Sequence, residues 1–143
     1  MEQQKLYQLT TDALARAIDG DMDGAATAIV EIGQNSADGF DVFAACCGFA
    51  EAARQAMVKL NGGDPADPDR GGGWAVRPVD DEDQVDAPLL FARRFIIAYA
   101  NDDQPTALAL WRAALLASHA EYVASVASLL ATAARLANEA ARR

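Results

Sequence analysis

A chain of 143 residues, 52% of them hydrophobic, can bury a core without metal or disulfide support. Twelve basic residues against 21 acidic ones give a formal net charge of −9, which leaves no basic footprint for nucleic acid. The acidic excess serves solubility, or offers a surface to a basic partner.

About a quarter of the residues are alanine, well above average usage, which favours helices in close contact. The two cysteines, Cys46 and Cys47, are adjacent in an apparent helix. Helix neighbours point about 100° apart and cannot form an ordinary disulfide with each other. They read as reduced core thiols, and hence as a reducing, cytoplasmic setting. The first residues lack a basic region followed by an apolar run, so no secretory leader is expected. The richest apolar window, Tyr122 to Ala137, is interrupted by Ser125, Ser128, Thr132 and Arg135, so no membrane span is expected either.

Helical periodicity predicts a first helix over about 4–19, with Leu6, Leu9, Ala13 and Ala17 on one stripe. Gly20-Asp21 breaks it. A second helix covers about 23–32, and Gly33 fits a left-handed cap, with Ser36 or Asp38 capping the next start. The third, 39–60, has two apolar faces, one through Phe40, Phe43 and Cys47 and one through Ala45, Phe49 and Ala52. Such a helix is surrounded by neighbours. Gly48 within it costs about 1 kcal/mol relative to Ala, a loss that close approach of a neighbouring backbone would explain.

The stretch 61–87, crowded with Gly, Pro and Asp, reads as a linker in which Trp74 pins the chain or covers a ligand. Pro88 suits the first turn of a fourth helix, to about Ala100, with Asp86 or Ala87 as cap. Asn101-Asp102-Asp103 breaks it, and Pro105 opens a fifth helix with Leu108, Trp111 and Leu115 inward. Ser118-His119-Ala120-Glu121 matches a capping box opening a sixth helix, to about Ala140.

Sliding the second half back so that Asp102 meets Asp21 aligns the halves without a gap. Leu9 meets Leu90, Ala28 meets Ala109, and Ala52-Ala53-Arg54 meets Ala133-Ala134-Arg135. The expected architecture is all-α: a single domain over 1–143, a six-helix bundle of two similar three-helix halves, about 4–60 and 88–141, joined by a linker over 61–87.

Residues able to carry chemistry are few. Arg54 and Arg135 correspond in that alignment, as do Asp21 and Asp102, so two related Asp–Arg pairs are conceivable. Against them stands a simpler arrangement, with both arginines in water and both aspartates capping helices. His119 is the only histidine and cannot build a His-based metal site alone. The run Asp80 to Asp83 lacks the spacing and glycine of an EF-hand loop. No phosphate-cradling loop or serine elbow appears, so no metal, cofactor or catalytic residue is assigned.

The expected function is therefore non-enzymatic, a helical protein–protein interaction or scaffold module, with the apolar sixth helix as the expected face of a homodimer. The alternative is a small-molecule binding protein with a pocket between the halves. Phe95, Tyr99, Trp111 and Tyr122 would line it, Trp74 would cap it, and Arg54 and Arg135 would hold an anion there.

Overall fold

The computed structural model of the protein describes residues 1–65, 72–75 and 86–143. Among these residues it is all-helical: α1 Gln3–Ile18, α2 Met22–Asn35, α3 Phe40–Asn61, α4 Ala87–Ala100, α5 Gln104–Leu116 and α6 His119–Ala141.

Local chemistry sets most of the boundaries. Gly20, at φ +87°, turns the chain out of α1, and the Asp21 carboxylate caps α2 by accepting from Gly24 N at 2.9 Å. Contrary to expectation, Gly33 is no cap: α2 runs through it to Asn35. Ser36 Oγ stops the next segment by accepting from Gly39 N at 3.0 Å. At the end of α3, Gly62 is left-handed, and Gly63 N donates to Val58 O at 3.1 Å. That bond closes the helix as a Schellman-type turn. Asp86, Asp103 and Ser118 cap the remaining three helices through their side-chain oxygens.

The long helices α3 and α6 pack against each other. The C-terminal parts of α1 and α4 each reach across to the other half's long helix, α1 to α6 and α4 to α3. One hydrophobic cluster takes Ala13, Ala25, Phe49, Phe95, Trp111 and Leu129, a side chain from every helix. Alanine lets the backbones approach, and Gly48 takes this furthest. A Cβ there would lie 2.9 Å from the Thr10 methyl on α1, so the close neighbour is a side chain rather than a backbone.

Two sequence expectations change here. The sixth helix is covered by its neighbours: Val126, Leu129, Leu130 and Ala133 are buried. Ser125 and Thr132 are buried as well, Thr132 Oγ1 donating to Ser128 O at 2.8 Å, while Arg135 is exposed. The apolar surface this helix leaves open is confined to its first turns, at Val123.

The gapless alignment is not followed residue for residue either. Gly20 and Asp102 are the positive-φ residues of their turns, and the next residues, Asp21 and Asp103, are the caps. Both caps repeat one geometry, Asp21 N bonding Arg16 O and Asp103 N bonding Ala98 O, each at 2.8 Å. Along the long helices the buried rows match as Cys46 with Val126, Phe49 with Leu129, and Ala53 with Ala133. The register drifts because α2 has 14 residues and α5 has 13, and because the turn before α3 is longer than the one before α6.

Candidate functional site

An apolar concavity of about 680 Å³ lies between α2 and the corner joining α5 to α6. Ile29 and Val30 of α2 form one wall, Leu115 and Val123 the other, with Val42 and Val126 between them. No Asp, Glu, Lys or Arg lines it; the polar groups are Gln34, His119 and Tyr122.

The walls arise from a conflict in the sequence. Ile29-Val30 and Leu115-Leu116 are adjacent apolar pairs, and neighbours on a helix diverge by about 100°. In the first pair one member faces the core and the other is left outside; in the second, at the end of α5, both are exposed, Leu115 departing from its expected inward stripe. Accordingly Ile29 packs against the core while Val30 is exposed, and Leu116 is 86% exposed at the corner. Seven large hydrophobic residues are exposed among the described residues. Five of them, Val30, Phe40, Leu115, Leu116 and Val123, line this groove or adjoin residues that do.

Behind the groove lies an aromatic chain. Trp111 stacks with Phe40 at 5.4 Å and with Phe43 at 5.5 Å, and Phe43 meets Phe95 edge-on at 6.1 Å. The Trp111 indole donates to the Tyr122 hydroxyl at 3.1 Å. Burial pushes the Tyr122 phenol upward, so it stays protonated and its own O–H remains available as a donor.

The residues expected to share an aromatic site are spread over three places. Phe95 and Trp111 are core residues, and only Tyr122 reaches the groove. Tyr99 and Arg54 lie in a separate cleft of about 280 Å³ between α3 and the α4–α5 turn. There Arg54 grips Glu51 through two bonds of 2.8 and 2.6 Å and reaches Asp64 at 3.6 Å. Arg54, followed by hydrogen bonds from Gln55 and Tyr99, holds the Glu51 carboxyl down at about 2 against the cost of burial. Burial first, then the Glu51 charge, pushes Tyr99 up to about 12. The guanidinium thus meets two carboxylates, linking the interior of α3 to Asp64 beyond its end.

Arg135 lines a third cleft, of about 480 Å³, where the α1–α2 turn meets the end of α6. Asn138 closes that contact by donating to Ile18 O at 3.1 Å. The conceived Asp–Arg pairs do not form. Arg54 takes Glu51 and Asp64, while Asp21 pairs with Arg16 at 3.1 Å and Arg135 is exposed. Asp21 is local to Arg16 because both stand at the same turn, whereas Arg135 approaches that turn from another helix.

Trp74 is attached by its backbone. Its N–H donates to Asn101 Oδ1 at 2.7 Å, and Asn101 Nδ2 donates to Trp74 O at 2.9 Å. The half-buried indole leaves Nε1 buried without an acceptor. The acidic run Asp80 to Asp83 lies outside the described residues. Cys46 is fully buried and Cys47 half-buried, and burial pushes the latter up to about 11. Neither thiol is a nucleophile near neutrality.

The exposed residues Leu116, Val30 and Val123 escaped the sequence reading. The adjacent apolar pairs were the signal that could have found them. No described helix is long and apolar enough to cross a membrane. No protein-family model, curated protein or solved structure matches the chain.

Proposed function

We propose that the protein is a non-enzymatic interaction module whose contact surface is the groove between α2 and the α5–α6 corner. One observation carries this reading: of the seven large hydrophobics exposed among the described residues, Val30, Leu115 and Val123 line one concavity without charged side chains, and Phe40 and Leu116 are sequence neighbours of its lining. Such side chains scattered singly are ordinary, but gathered they mark a binding surface. The reading narrows the contact from the length of α6 to its first turns and the corner that precedes it. Photo-crosslinking from a benzophenone side chain at position 116 tests it in living cells, with exposed position 7 as control. Protein adducts from 116 and few from 7 are expected; no protein adduct from 116 would sink the reading.

A small apolar ligand in the same groove is the second reading. About 680 Å³ is within the usual range of ligand sites, and Tyr122, Gln34 and His119 provide a few polar handles. Trp111 stands directly behind Tyr122, so indole fluorescence should respond to such a ligand. A flat response across a panel of apolar metabolites would remove this reading.

We also read the chain as a duplicated three-helix unit. The matched turns at Gly20-Asp21 and Asp102-Asp103 and the matched buried rows of α3 and α6 support it. Reduced Cys46 and Cys47 suit a reducing, cytoplasmic compartment.

A further inference from the structure

We infer that the occupant of the groove is a second copy of this chain, docked about a twofold axis so that Leu116 of each copy enters the groove of the other. This rests on the interaction-module reading above and specifies its partner.

Charge is the first argument. A chain of net charge −9 repels its own copies unless they meet over an uncharged face. Clefts beside Arg54 and Arg135 carry acidic and basic groups, whereas no Asp, Glu, Lys or Arg lines the groove. A partner chosen by opposite charge has nothing to hold there. A partner with the same uncharged face does.

Shape is the second argument. A twofold interface must be self-complementary, with projection and recess on the same face. Leu116 is the most exposed large hydrophobic side chain described, and its neighbours Leu115 and Ala117 form part of the groove wall. Projection and recess are therefore adjacent, as a twofold pairing requires. Five partly exposed side chains make an apolar core of a few hundred Å², at the low end of what stable dimers bury, roughly 800 Å² per partner.

Sedimentation equilibrium of the full chain, from low to high micromolar concentration, tests this with two variants. Wild type is expected to approach twice the 15.1 kDa chain mass. Leu116→Lys places a charge on the projection, and Val30→Asp places one in the recess. Both positions are exposed, so circular dichroism should remain that of the wild type. Each variant alone should be monomeric. Their mixture should recover dimers, because one contact is then native and the other pairs Lys with Asp.

A wild type that stays monomeric throughout overturns the second-copy proposal. The broader reading then stands or falls on whether position 116 crosslinks to a different protein. A wild-type dimer that neither variant disturbs also overturns it, since the copies would meet elsewhere. Monomeric variants whose mixture stays monomeric overturn the crossed placement of Leu116.

Discussion

Single atoms decide how closely these helices approach. Thr10 Oγ1 donates to Leu6 O at 2.7 Å, which fixes the hydroxyl and aims the methyl at Gly48. Gly48→Ala gains about 1 kcal/mol of helix propensity but drives a methyl into that methyl, at a cost of roughly 1–3 kcal/mol. The single variant should therefore unfold at lower urea than wild type. Adding Thr10→Ser keeps the hydroxyl and deletes the methyl, so the double variant should regain at least wild-type stability. Tyr122→Phe should cost about 1–3 kcal/mol, because it leaves the buried Trp111 indole N–H without its acceptor. Thermal unfolding with Trp111→Phe as the second arm of a double-mutant cycle measures that coupling. At the linker, Asn101→Ala should free Trp74 by removing both bonds to its backbone, and its amide should exchange at least tenfold faster.

At the scale of helices and turns, the Glu51–Arg54 pair lies within α3, and Arg54 reaches from it to Asp64 beyond the helix end. The Glu51 carboxyl has an ordinary value of 4.5 and stands at about 2 when folded, so the folded chain binds its proton more weakly than the unfolded chain. The stability it contributes is complete above pH 4.5 and is lost as pH falls toward 2. The pair is about one-third exposed, so screening limits this contribution to about 1 kcal/mol. Urea midpoints across that pH window should fall more for wild type than for Glu51→Gln. Elements of this kind were partly legible. Asp86, Ser118 and Gly62 announce helix ends because capping needs only local atoms. Gly33 misled because glycine inside a helix and glycine beyond its end look alike until tertiary packing chooses. For Arg54 the sequence offered Asp21, Asp102 or water, whereas its partner Glu51 lies three residues away on its own helix. The groove was invisible as a site, since it forms only where two turns distant in sequence converge.

Across the whole molecule, packing and solubility pull in different directions. Alanine-lined helices close tightly around a core that draws on every one of them, and the chain as a whole carries a net charge of −9. The α5–α6 corner departs from this pattern by holding Leu115 and Leu116 at the surface beside Val123 and Val30. A leucine exposed like Leu116 contributes nothing to the fold of one chain, and burying it in a partner gains about 1.5–3 kcal/mol. That difference favours this corner over the ion-paired clefts as the proposed contact surface. Backbone amide exchange at dilute and at concentrated protein tests the claim most directly. The account predicts slower exchange on concentration in the exposed end of α2 and in the α5–α6 corner, with none at the α1–α2 turn. Exchange independent of concentration throughout, or slowed only on another face, would contradict it.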